Sequence, residues 1–91
     1  MSKALEDIAA ERNRQVVEEG WAVSHDDEHA DGELAEAAAC YCMSHRDSEY
    51  SPPAWWPWSA SWWKPKGRRR DLVRAAALIV AEIERLDRLH T

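Results

Sequence analysis

Apolar and polar positions alternate along this chain with a helical period at both ends and lose it in the middle. Leu5, Ile8, Ala9, Arg12 and Val16 recur at helical spacing and predict a first helix over residues 3–19, with Ser2 as its N-cap. Gly20 is placed to end that helix, and Trp21 directly after it suits the hydrophobic contact of a glycine C-cap. An acidic connection, VSHDDEHADG, follows. Within it Ser24 with Asp27 resembles a capping box, so the connection has the means to form a helical turn of its own. A second helix is predicted over residues 31–44, where Ala35, Ala37, Ala38, Ala39, Cys40 and Cys42 leave bulk only at Leu34, Tyr41 and Met43. Small residues of this kind let another helix approach closely. From residue 46 to 67 neither a helical nor an alternating period survives, and all 4 prolines lie there. Loops of that length are uncommon in compact domains and are often functional. The last helix is predicted over residues 69–90. Leu72, Ala76, Ile79, Ile83 and Leu86 form one stripe, which Leu78, Val80 and Leu89 widen, and Glu84 with Arg88 adds an exposed pair. Between Ala75 and Ala81 this helix is apolar all round, as expected of a helix central to a bundle or shared with a second subunit. The fold expected is all-α, a single domain over residues 1–91 with three helices and a long Trp/Pro-rich loop between the second and third.

Composition adds size and charge to that picture. With 91 residues a single core is only marginally stabilising, so a homo-oligomer is expected. No apolar run approaches the roughly 18 residues that cross a bilayer, and the N-terminus has no apolar signal core, so a cytoplasmic chain with no membrane partner is expected. The formal net charge of −5 repels a nucleic-acid backbone, yet positive charge is concentrated between Lys64 and Arg74. A small anion fits that asymmetry better than sequence-specific binding to long DNA. Cys40 and Cys42 sit two apart on a helix, where side chains diverge by about 200° and do not bond each other, so they read as reduced thiols.

The candidate chemistry centres on AWWPWSASWWKPKGRRR, residues 54–70. Trp55, Trp56, Trp58, Trp62 and Trp63 exceed what a small core readily absorbs, because each indole N–H needs a partner. Indole faces stack on bases at roughly 1–3 kcal/mol each, and Lys64, Lys66, Arg68, Arg69, Arg70 and Arg74 are suited to phosphate. Arg68, Arg69 and Arg70 fall at a helix start, where they oppose the dipole while free N–H groups favour an anion. Glu11, Arg12, Gln15 and His25 are placed to read base or ribose edges from a neighbouring helix, with Trp21 as a further aromatic. A structural reading competes: the tryptophans cover the alanine-rich core and the arginines pair with Glu18, Glu19 or Asp26 of a neighbour.

Two further constellations are weaker. Glu33 with Glu36, and Glu84 with Asp87, lie three apart on helix faces, the oxygen-donor arrangement that suits magnesium; surface ion pairs explain Glu84 and Asp87 as well. His25, Glu28 and His29 match the order of an inverted zinc-protease motif but lie in a polar connection. The only glycines are Gly20, Gly32 and Gly67, so no glycine-rich phosphate loop exists.

The strings ERNRQ, EEGW, HDDEH, GELAEAAACY, WPW, WWKP and RRRDLVRAAALIVAEIERLDR resemble a group of small accessory proteins of tailed phages and prophages. That resemblance implies nucleotide metabolism or opposition to host defence, in the cytoplasm of a bacterial host. More distantly, the chain is similar to MazG-like all-α nucleoside triphosphate pyrophosphohydrolases, which bind magnesium through Glu-Glu-x-x-Glu and Glu-x-x-Asp motifs. Glu33 and Glu36 match part of the first, and Glu84 and Asp87 match the second; the doubled glutamate before Leu34 is missing. Gly20, Trp21, Asp26, Asp27, His29 and Tyr41 resemble ryanodine-receptor-type repeat domains, which again implies nucleotide ligands. The expectation is therefore a small nucleotide-binding protein that sequesters a nucleotide second messenger of antiviral defence, without a cofactor of its own. A magnesium-dependent MazG-like pyrophosphohydrolase and a protein-binding inhibitor of a host enzyme are the alternatives.

Overall fold

Ser2 accepts the Leu5 N–H at 3.2 Å and starts the first helix, as its position in the sequence predicts. The computed structural model describes residues 1–20, 23–44 and 51–89, with the backbone alone for residues 23–25. Its helices are α1 (Lys3–Val17), α2 (Val23–Glu28), α3 (Glu33–Cys42) and α4 (Arg68–Leu89), with a 3₁₀ turn at Ala60–Trp62. No strand occurs among the described residues, and the fold is all-α. Helix α1 stops at Val17 rather than residue 19, and Gly20 takes the left-handed φ of 72° that lets the chain turn away. The acidic connection forms α2, a fourth helix. Gly32, with φ of 90°, precedes α3, which ends at Cys42 rather than residue 44. Trp21, the side chains of Ser24 and His25, and residues 45–50 lie outside the described residues.

Helix α4 is central and packs against α1, α2 and α3. Its contact with α3 is made largely by small side chains. Ala37, Ala38 and Cys40 of α3 and Ala75 and Ala81 of α4 are buried in one cluster with Leu34 and Leu78, so small side chains meet small side chains. The volume that these alanines leave is filled from the loop by Trp56 and Trp63, 8% and 5% exposed, which join Tyr41 in the same cluster. Cys40 is buried, Cys42 is half-buried, and neither is in a disulfide.

The outer face of α4 departs from the simplest reading of its period. Leu72, Ile79, Ile83 and Leu86 are 40–51% exposed, while Val73, Ala77, Leu78 and Ala81 on the other side are buried. The small-residue side, with Leu78, wins the core because it permits close approach of α3, and Leu72, Ile79, Ile83 and Leu86 are turned outward.

Asp71 joins the start of α4 to the rest. Only 2% exposed, it accepts from the Ser44 hydroxyl at 2.7 Å and from the Lys66 N–H at 2.8 Å. The end of the tryptophan loop and the residue beyond α3 are thus held to one carboxylate, which also favours the helix N-terminus it occupies.

Candidate functional site: an aromatic cavity beside the tryptophan loop

Two opposing layers make the site. On one side the loop folds on itself: the Trp56 N–H and Trp62 N–H donate to the carbonyls of Pro53 and Ser59 at 3.0 Å, and the Trp56 indole donates to the Ser59 carbonyl at 3.0 Å. Tyr41 stacks on Trp63 with ring centroids 4.9 Å apart and meets Trp56 edge-on at 5.6 Å. Trp56 meets Trp58 edge-on at 5.4 Å, and Trp58 lies 5.2 Å from His29. Such arrangements contribute about 0.5–1.5 kcal/mol each beyond the area they bury. Burial raises the Tyr41 pKa, against hydrogen bonding from the Lys64 N–H and the charge of Arg74.

On the other side lies the ionic face of α1. Glu11 is 2% exposed and receives Arg14 through two hydrogen bonds of 2.8 and 2.9 Å, Arg70 at 2.5 Å and the Gln15 amide at 3.2 Å. Burial pushes the Glu11 pKa up, but the hydrogen bonds from Arg14 and Arg70 outweigh it and hold the carboxyl below its ordinary value. Arg14 also reaches Glu19 at 2.8 Å, and hydrogen bonding to Glu11 raises its own pKa in turn. Because Gln15 donates its amide nitrogen to Glu11, its carbonyl Oε1 is directed elsewhere; that atom is buried and has no hydrogen-bond partner among the described residues.

Between the layers is a cavity of 460 Å³, within the range of small-molecule sites. Trp56, Trp58, Trp62, Tyr41 and Leu78 supply its apolar wall; Glu11, Gln15, Glu19, His29 and Ser59 supply polar atoms; Arg14, Lys64 and Arg74 supply positive charge. Lys64 Nζ stands 5.9 Å from the Trp62 ring centroid, and the Arg74 guanidinium 5.7 Å from that of Tyr41. Arg74 is anchored by donating to the Lys64 carbonyl, and its Nε is buried with no hydrogen-bond partner among the described residues.

The residues singled out by the sequence do not all come to one place. Trp56, Trp58, Trp62, Lys64, Arg74, Glu11 and Gln15 meet at the cavity. Trp63 is core, and Trp55 is 47% exposed away from the cavity lining. The three arginines at the start of α4 take other partners: Arg68 donates to the Cys42 carbonyl, Arg69 pairs with Asp7 at 2.9 Å, and Arg70 with Glu11. Arg69 and Arg70 instead border a second, more open hollow of 420 Å³ with Asp7, Arg14 and Val73. Lys66 is exposed and offers its backbone N–H to Asp71. Arg12 is drawn away to Asp26 at 2.5 Å and Glu84 at 3.0 Å. Trp21 and the His25 side chain lie outside the described residues.

Arg14, Glu19, His29 and Tyr41 were not singled out for the cavity by the sequence. Arg14 was legible as the neighbour of Glu11 at i+3, and Tyr41 as one of the few bulky apolar residues of an alanine-rich helix. Glu33 accepts from the Asp31 N–H at 2.7 Å and lies 3.5 Å from His29, with its own backbone N–H lowering its pKa first and the Asp31 N–H adding to that. Glu36 and Asp87 are exposed. Among the described residues no group of three or more His, Cys, Asp or Glu side chains is arranged to hold a metal ion. No described helix is long and apolar enough to cross a membrane.

No protein-family model, curated protein or solved structure matches this chain.

Proposed function

We propose that the chain binds a small nucleotide in the 460 Å³ cavity and holds it unchanged, the behaviour of a sponge for a nucleotide second messenger of antiviral defence. The observation that carries this reading is the meeting of Trp58 and Trp62 with Lys64 and Arg74 at one cavity. A base stacked on an indole gains about 1–3 kcal/mol, and a phosphate beside Lys64 and Arg74 gains charge-assisted hydrogen bonds. The buried Gln15 Oε1 calls for a ligand that carries an N–H or O–H donor, which base edges and ribose hydroxyls do. Phage counter-defence as the setting rests on the sequence resemblance alone.

Holding rather than converting is favoured by the state of the carboxylates. Glu11 is clamped in its ionised form by two arginines, which makes it a weak proton acceptor. The carboxylates of the pyrophosphohydrolase alternative have other work: Glu84 receives Arg12 and Glu33 receives the Asp31 N–H, and neither lines the cavity. The test is retention. The protein is incubated with mono-, di-, tri- and cyclic nucleotides in magnesium buffer, desalted and heat-denatured, and the released compound is identified by mass spectrometry. Recovery of an intact nucleotide supports the sponge. Recovery of a monophosphate with pyrophosphate supports the enzyme, and retention of none leaves the exposed Trp55 and Trp62 as docking residues of a protein inhibitor.

A further inference from the structure

Helix α4 packs against α1, α2 and α3, and one of its faces is left uncovered by the described residues. Leu72, Ile79, Ile83 and Leu86 on that face are 40–51% exposed, and Ala76 lies among them. Their spacing alternates four and three residues, the 3.5-residue repeat of a coiled-coil seam, and at 100° per residue they fall within an arc of about 80°. A wider and less regular stripe would suit burial in the subunit's own core; a narrow seam suits one partner helix of the same repeat. We propose that this face pairs with the same face of a second copy, the two α4 helices running antiparallel about an axis near Ile79.

Two observations commit the occupant and its direction. First, the seam is self-complementary under two-fold rotation: Leu72 falls opposite the second copy's Leu86, and Ala76 opposite its Ile83, so small meets large. Second, charge is polarised along α4. Arg68, Arg69, Arg70 and Arg74 against Asp71 make its first half net positive, offset in part by Asp7 and Glu11 of α1, while Glu82, Glu84 and Asp87 against Arg85 and Arg88 make its second half net negative, offset in part by Arg12. An antiparallel pair sets these opposite charges against each other, whereas a parallel pair places Arg69 beside Arg69 and Asp87 beside Asp87. The face is distinct from the aromatic cavity, which none of its residues line, so dimerisation and ligand binding are separable.

Sedimentation equilibrium of the full chain tests the pairing, with a species of twice 10.5 kDa expected. Ile79→Glu, and separately Ile83→Gln, change residues that are exposed in the subunit; each is expected to retain the helical circular dichroism of the parent and to weaken dimerisation at least tenfold. A parent chain that is monomeric at 100 µM, or a dimer indifferent to both substitutions, overturns the proposal. Orientation is read by oxidation in a Cys40→Ala/Cys42→Ala background. A mixture of Leu72→Cys and Leu86→Cys chains is expected to form the mixed disulfide. In the antiparallel pair two Leu72→Cys positions lie about 20 Å apart, so efficient self-coupling of that variant overturns the direction.

Discussion

Glu11 and Arg70 stand 59 positions apart in the sequence and meet at 2.5 Å, with Arg14 bound to the same carboxylate. This contact joins α1 to the first turn of α4 and neutralises positive charge at a helix end where the dipole disfavours it. Replacing Glu11 with Gln removes the buried charge but leaves Arg14 and Arg70 facing an amide. Both arginines are partly exposed and water offsets some of the loss, so the expected destabilisation is about 1–3 kcal/mol, read by urea unfolding.

The same carboxylate gives the fold an acid-sensitive element. Its native pKa lies below the ordinary value of 4.5, so its stabilising contribution is complete above that value and is lost as pH falls through the native pKa. The melting temperature is expected to fall on acidification below about pH 4.5, and to fall less steeply in Glu11→Gln. Equal slopes for parent and variant would show that Glu11 does not carry the effect.

Asp71 is the fastening of the tryptophan loop. Asp71→Ala leaves the Ser44 hydroxyl and the Lys66 N–H without their acceptor, with an expected cost of about 1–3 kcal/mol and a red-shifted tryptophan emission as the loop loosens. An unchanged emission maximum would mean that the loop is held by its aromatic contacts alone.

The tryptophans are expected to separate stability from binding. Trp63, 5% exposed and stacked on Tyr41, is a core residue; Trp63→Ala is expected to cost about 3–5 kcal/mol, a large share of the stability of so small a domain. Trp62, 50% exposed, is expected to change stability little when replaced by Ala and to weaken nucleotide binding about tenfold or more. Thermal unfolding and ligand titration of the two variants check this together.

The helices were legible because their signals are local. Ser2, Gly20 and the apolar period of α4 act within a turn or two, and the small residues of α3 announced a close helix contact. The period of α4 did not say which of its faces looks inward. Apart from Leu78, its large aliphatic residues form the outer stripe, since the alanine side packs against α3. In the loop no period exists, so the division of the indoles between core (Trp56, Trp63) and surface (Trp55, Trp62) followed from tertiary packing alone. The arginines at the start of α4 were legible as unusual, but their partners Asp7 and Glu11 come from a helix more than fifty residues away. The cavity accordingly takes its positive charge from Lys64, Arg74 and Arg14 rather than from Arg68, Arg69 and Arg70.

Tryptophan fluorescence titration with a panel of mono-, di- and cyclic nucleotides tests nucleotide binding most directly, because Trp56, Trp58 and Trp62 line the cavity. Saturable quenching by at least one nucleotide is expected, shifted to about tenfold or more higher concentration in Trp62→Ala and in Arg74→Ala. Fluorescence that stays unchanged with every nucleotide up to about millimolar concentration, where even weak sites fill, would contradict the account.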